Sequence, residues 1–295
     1  MDIEKIFKLA RHHKRTFLAL IVAIYAIFLV IAHFFFNQPL IDIGLDQIKS
    51  ISSALITAIF TFFLILSFIP SEDKGEIEEI PAQKITSEFD KLLANAGRWR
   101  YKGNFGRYLR GRVLPALAHK QNVHITTCLI DPRDGELCKK HAVYRGSING
   151  IDKGTQYDAD TVAIEVLITI VIAAWYAANT GMQIDIYLSK AFDPIRIDSN
   201  DHAMILTVED RRSPALKITK DHFTAKHFEL QMKTARDQAD PLDLGGMRHG
   251  IQLAEMNEAD VISVLTQADM VALCKRLKPG AILEGCKKSR NPYEN

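Results

Sequence analysis

The run VAIEVLITIVIAAWYAA, Val162–Ala178, decides the fold. As a membrane span it would carry everything from Met182 onward across a bilayer. As a core helix it leaves one continuous α/β domain built around it. Its 17 residues, at a rise of about 1.5 Å each, reach about 26 Å, short of the roughly 30 Å hydrocarbon core of a bilayer. Glu165 lies inside the run, and no basic cluster flanks it. A helix that is apolar all round and sits between globular elements is a buried core helix, and Thr161–Asn179 is read that way.

Outward from this helix the pattern alternates. Val123–Ile130 (VHITTCLI) is a buried strand that ends in the turn residues Asp131–Gly135, and Glu136–Tyr144 is a helix. Gln183–Leu188 (QIDIYL) alternates as a strand, and Pro194–Ile197 is a short edge strand. Ala203–Val208 and Ala215–Ile218 are strands around the turn residues Glu209–Pro214, and Phe223–Gln238 is a helix. Ser87–Ala96 and Asn104–Ala118 supply further helices. Apolar strands alternating with helices predict an α/β domain over residues 87–245, a mixed sheet with helices on both faces.

Residues 246–295 are read as a helical tail. Asn257 caps a helix over Glu258–Leu277 with Asp260 in its first turn, Lys275, Arg276 and Lys278 suit its end, and Pro279-Gly280 stops it. Its apolar face, Val261, Val264, Leu265, Ala268 and Val271, either packs on the domain or receives a partner.

Upstream, Thr16–Phe36 (TFLALIVAIYAIFLVIAHFFF) and Ile51–Ile69 contain no Asp, Glu, Lys or Arg. Each is long enough to cross a bilayer. The first ends in Phe34, Phe35 and Phe36 rather than in a small-residue cleavage site, so it reads as an uncleaved anchor. With the connector Asn37–Ser50 the two spans, 16–36 and 51–69, form a transmembrane hairpin. Residues 70–86, acidic and holding Pro81, form a linker. Lys5, Lys8, Arg11, Lys14 and Arg15 precede the first span, within the basic segment 1–15, whereas the connector carries Lys49 alone. By the bias of basic residues toward the cytoplasm, the N-terminus and the C-terminal domain are expected there. Ser53, Thr57 and Thr61 recur on one face of the second span, as Ala19, Ala23 and Ala26 do on the first. Small side chains let helices approach closely in lipid, within one hairpin or between copies of the chain. His33, near the external end, reads as an interfacial group.

Charge is balanced, with 37 Lys and Arg against 35 Asp and Glu, so net charge selects no partner. The cysteines Cys128, Cys138, Cys274 and Cys286 form no CxxC pair and no zinc spacing, and read as reduced thiols. No Gly-rich phosphate loop, HExxH or Ser-His-Asp set is present, and no cofactor is implied. Locally, RWRYKGNFGRYLRGR interleaves six cations, Arg98, Arg100, Lys102, Arg107, Arg110 and Arg112, with four aromatics and no acid. Such a stretch suits phosphates of nucleic acid or lipid head groups, or else forms a solvated helix whose aromatics enter the core.

The segment DHAMILTVED, Asp201–Asp210, places His202, Met204 and Glu209 at the positions of an HxKxxxxD motif. In this spacing, and in the surrounding basic helix and strand ends, the chain resembles the phospholipase D-like family over roughly residues 98–239. In that family the His is the nucleophile, the Lys binds phosphate and the Asp lies behind. Here the Lys is Met204 and the acid is Glu209, so the resemblance implies a degenerate domain. Cations aimed at the oxygens of a phosphodiester transition state supply most of its stabilisation, and Met204 offers none. A two-span anchor on such a domain is similar to the two-transmembrane effectors encoded beside retron reverse transcriptases. That resemblance implies a bacterial inner-membrane protein in anti-phage defence. It would be restrained by a reverse transcriptase with its RNA–DNA product and toxic to the membrane on release, aborting infection. The alternatives are a membrane-bound phosphodiesterase or phospholipid-processing enzyme using His202 from two protomers, and a membrane-tethered receptor without toxic action.

Overall fold

The computed structural model describes residues 40–68, 75–148, 157–210 and 212–288, with Ile27, Val30, Ile31, Phe34 and Gly154 in addition. The chain forms two compact units, Met1–Glu72 and Asp73–Asn295. The basic segment 1–15, the alanine face and His33 of the first apolar run lie outside the described residues. Of that run, Ile27, Val30, Ile31 and Phe34 are helical and exposed.

The described part of the first unit includes one helix, α1 (Leu40–Phe68). It begins eleven residues before the expected start of the second span, so Leu40–Ser50 is helix rather than a loop connector. Thr57 Oγ1 donates to the Ser53 carbonyl at 2.9 Å, so this hydroxyl is satisfied within the helix. Leu45, Ile48, Ile51, Leu55, Ile56 and Phe60 are exposed.

The second unit is an α/β fold around an eight-stranded mixed sheet. Its strands are β1 (Ile77–Ile80), β2 (Arg98–Lys102), β3 (His124–Ile130), β4 (Gln183–Ser189), β5 (Ile195–Ser199), β6 (Ala203–Val208), β7 (Ala215–Thr219) and β8 (Asp240–Leu242). The spatial order is β1-β7-β6-β5-β2-β3-β4-β8. Strands β2, β3 and β4 run parallel; every other pairing is antiparallel. The helices are α2 (Ile85–Ala94), α3 (Leu114–Leu117, continuing a π turn over Leu109–Val113), α4 (Gly135–Ser147), α5 (Ala159–Asn179), α6 (Phe223–Asp237), α7 (Glu258–Gln267), α8 (Val271–Leu277) and α9 (Pro279–Lys287).

Helix α5 is the decisive run, and it is a core helix. It is long and apolar enough to cross a membrane, yet 67% of its most apolar 18-residue window is buried inside the protein. Among the described residues no other helix passes that test; Ile48–Ala58 is a shorter apolar stretch. Asp158 caps α5 by accepting from Thr161 N at 2.7 Å. Val166, Leu167, Ile170 and Val171 are fully buried, each worth about 2 kcal/mol by removal from water.

Four expectations need correction. Residues 70–86 are more than a linker, because Ile77–Ile80 pairs with β7 as an edge strand. Its Glu78 and Glu79 stay exposed, as edge strands favour. The segment at Pro194–Ile197 is a central strand, extending to Ser199 between β2 and β6. Its polar end is hidden because Asp198 is buried against Trp99 and Arg196. The helix expected from Asn104 starts only at Arg107, after a loop in which Gly106 has φ +71°. A Cβ there would stand 2.7 Å from Thr169 Cγ2. Lastly, Glu258–Leu277 is broken at Asp269, φ +55°, into α7 and α8, and Pro279 opens α9 rather than only closing a helix. These C-terminal helices join the main core through Val261, Val264, Leu265, Cys274, Ile282 and Cys286. The tail packs on the domain.

Candidate anion-binding groove

The motif remnants do not meet. His202 is exposed in the tight turn between β5 and β6. Asn200 organises that turn, its Oδ1 accepting from the backbone of His202 at 2.8 Å and Ala203 at 2.9 Å. Met204 is fully buried in a small cluster with Ile197, Leu206 and Ile218. Glu209 follows the opposite end of β6, about 20 Å away at a strand's rise per residue. There it accepts from Asn104 Nδ2 at 2.9 Å and Arg145 Nη1 at 2.8 Å. His141 Nε2 stands 3.4 Å from the same carboxylate, within ion-pair range but not aligned as a hydrogen bond. Burial would raise the pKa of Glu209, but His141 and Arg145 hold it at about 2. Glu209 is a buried clamp between β6 and α4, not a partner for His202.

The six cations of the basic stretch are divided between interior and surface. Arg107 donates to Glu165 at 2.7 and 2.9 Å. Arg110, itself buried, donates to the Glu165 carbonyl at 2.9 Å and to Thr169 at 2.7 Å, and also pairs with the Glu165 carboxylate. Burial opposes ionisation of Glu165, but the two guanidinium groups bring its pKa to about 2. These arginines neutralise Glu165, the one carboxylate within the apolar run Val162–Ala178 of α5. Arg112 pairs with Asp90 on α2 at 2.7 Å.

Arg98, Arg100 and Lys102 have a different fate. In RWRYK, a strand, alternate side chains take opposite faces. Trp99 and Tyr101 enter the main core, and the three cations share the other face. Arg98 is exposed at the strand's start. Arg100 lies opposite Thr126 and Lys102 opposite Cys128 on β3, with Tyr187 beside Cys128 on β4. Helix α6 lies across this face. Ala225, Phe228 and Met232 anchor it to the apolar patch on β5, β6 and β7. Over the parallel strands it leaves a cavity of about 270 Å³, roofed by Glu229, Met232, Lys233 and Arg236. A second cavity of about 540 Å³ shares Lys102 and passes between α6 and the loop Lys190–Asp193.

Parallel strands are ordinarily buried and apolar on both faces; these keep one polar face. Four cations, Arg100, Lys102, Lys233 and Arg236, line the inner cavity against one carboxylate, Glu229, which Lys220 already holds. Arg100 Nη2 lies 3.3 Å from Asp201, and Lys102 pairs with Asp193. Arg100 Nη1 is buried and has no hydrogen-bond partner among the described residues. Arg236 stands 5.9 Å from the centre of the Tyr187 ring. Burial pushes the Cys128 thiol up to about 11 against the pull of Lys102, so it is no nucleophile at neutral pH. Among the described residues no His, Cys, Asp and Glu group has the arrangement to hold a metal ion.

Lys233, Arg236 and Tyr187 were not legible as site residues. Glu229, Met232, Lys233 and Arg236 do show helical i, i+3, i+4, i+7 spacing, and RWRYK alternates strictly. Both signals sort side chains by face, and neither says which two faces meet.

No protein-family model matches the chain. No curated protein matches it either. Among solved structures, the archaeal chromatin protein TrmBL2, described with a novel mode of DNA binding, is 13% identical over 68% of each chain, with a TM-score of 0.31. A likeness of that size carries no inference about this chain.

Proposed function

We propose that the chain is a membrane-anchored effector of a bacterial anti-phage system of the retron type, in which the α/β unit is a receptor without a catalytic centre. The observation that carries the membrane part is α1. From Ser50 to Phe68 it has no charged residue, and at about 1.5 Å per residue this stretch is about 28 Å long, a bilayer's hydrocarbon thickness. Its exposed Leu55, Ile56 and Phe60 call for an apolar surround. With Thr16–Phe36 it would form the two-span hairpin, inserted in the inner membrane with the N-terminus and the α/β unit cytoplasmic. The mixed sheet and the motif remnant at the β5–β6 turn support reading the α/β unit as phospholipase D-like. The burial of Met204 among apolar side chains, at the position of the phosphate-binding lysine, favours a receptor over the phosphodiesterase alternative.

In this reading a reverse transcriptase with its RNA–DNA product restrains the effector, and release lets the hairpins associate through Ser53, Thr57 and Thr61 and perturb the bilayer. Activation is a population shift between restrained and assembled states. Expression of the full chain in bacteria should place it in the membrane fraction after an alkaline wash and collapse the membrane potential, read with a potential-sensitive dye. Ser53→Leu, Thr57→Leu and Thr61→Leu together should abolish the collapse while leaving the protein membrane-bound. Recovery in the soluble fraction overturns the anchor, and undiminished depolarisation by the triple variant overturns the association step.

A further inference from the structure

The groove under α6 is too enclosed for a flat polyanionic surface. The Lys102 side chain is 12% exposed and that of Arg100 32%. Both stand on the sheet floor with a helix above them. A bilayer or a duplex would meet the outer side of α6, not these two cations. What reaches them must enter beneath the helix, and the inner cavity of about 270 Å³ admits a small molecule. With the adjoining cavity it falls within the range of ligand pockets, roughly 300–1,000 Å³.

The lining is chemically split. Arg100 and Lys102 follow one another on one face of β2, and the unpartnered Nη1 of Arg100 is a donor awaiting an acceptor. Arg and Lys together suit a phosphate, the first as a fork and the second as a point charge. Across β3, Tyr187 and Met232 give an aromatic and a thioether surface, with the Arg236 guanidinium near the ring. Such a surface takes a planar ring by stacking. Cys128 lies between Lys102 and Tyr187, and Thr126, opposite Arg100, can donate to a hydroxyl-bearing spacer. Asp193 and Asp201 already offset part of the charge of Lys102 and Arg100, and Asp237 pairs with both Lys233 and Arg236, so the excess that attracts an anion is what this one carboxylate leaves of those two cations.

We propose that this groove binds a nucleoside monophosphate, with its phosphate on Arg100 and Lys102 and its base on Tyr187. The proposal rests on reading the α/β unit as a receptor, and it names the class of ligand received.

The test uses the full chain in detergent micelles and equilibrium dialysis with AMP, GMP, CMP and UMP. Adenosine, inorganic phosphate, a single-stranded oligonucleotide and phosphatidylglycerol vesicles serve as separate probes. At least one monophosphate should bind saturably, about tenfold or more tightly than its nucleoside or inorganic phosphate, since each loses one end of the site. Arg100→Gln and Lys102→Gln should each weaken that binding about tenfold or more. Tyr187→Leu should weaken the nucleotide and leave inorganic phosphate unchanged. Should a floor variant unfold, as thermal melting would reveal, the exposed-roof variant Lys233→Gln, Arg236→Gln should lower nucleotide affinity with an unchanged melting temperature. Absence of saturable monophosphate binding overturns the proposal. So does binding that ignores all four variants, or binding of the oligonucleotide or vesicles alone. Groove variants should still partition into membranes, so failure here is distinguishable from failure of the anchor.

Discussion

Glu165→Gln is the sharpest test of how α5 is held. Glu165 accepts from Arg107 at 2.7 and 2.9 Å and pairs with Arg110. Side-chain exposure is 17% for Glu165, 18% for Arg107 and 8% for Arg110, so water cannot replace the lost charge. Holding the carboxyl at about 2 instead of its ordinary 4.5 corresponds to about 3 kcal/mol in favour of the ionised form. That agrees with the 3–5 kcal/mol typical of removing one partner of a buried pair. Gln keeps the shape and removes the charge, leaving two cations facing a neutral amide. The expected loss is about 3 kcal/mol, or roughly 6–12 °C in melting temperature for a unit of this size. The assay is thermal unfolding of the full chain in detergent, followed by circular dichroism. Because the folded carboxyl ionises below its ordinary range, its stabilisation is complete above about pH 4.5 and is lost as pH falls toward about 2. The variant should therefore show a shallower acid decline than the parent. A melting temperature within about 2 °C of the parent would refute the clamp. A stabilised variant would refute more, since a lone carboxylate in a lipid-crossing helix is costly and its removal welcome.

The remaining predictions concern the motif and the C-terminal helices. Met204→Lys, which restores the lysine of the phospholipase D-like pattern, should destabilise by about 4 kcal/mol or more and confer no phosphodiesterase activity, because position 204 is fully buried among apolar side chains. His202→Ala should change stability by less than about 0.5 kcal/mol in denaturant titration, as an exposed turn position does. Asn257→Ala removes both acceptor bonds of the α7 cap and should cost about 1 kcal/mol, with amide exchange speeding up in the first turn of α7. Gly285→Ala should cost about 1–3 kcal/mol, because a Cβ there would lie 2.2 Å from Ile168 Cδ1 in the α5–α9 contact.

Much of the α/β unit was legible because its signals are local. The apolar run of α5 with its internal glutamate, the strands at 124–130, 183–189 and 203–208, and the Asn257 cap all follow from neighbouring residues along the chain. The misread elements are those that other parts of the chain complete. Ile77–Ile80 is too short and acidic to announce a strand until β7 supplies its partner. The Ile195–Ser199 strand looked like an edge because Asp198 and Ser199 are polar, yet Trp99, Arg196 and Lys220 satisfy them in the interior.

The candidate site divides the same way. Sequence alone determined that a cation-rich, aromatic-interleaved stretch exists, that the lysine of the motif is missing, and that two long runs without charge precede residue 70. Folding decided what each charge does. Arg107 and Arg110 meet Glu165 from more than fifty residues away, Arg112 meets Asp90, and Arg100 and Lys102 share a groove with Lys233 and Arg236. The physical reason is range. Periodicity and capping act over a few residues, so they are written along the chain. A charge takes its role from whichever group the fold brings within a few ångströms, and that neighbour depends on strand order and helix placement.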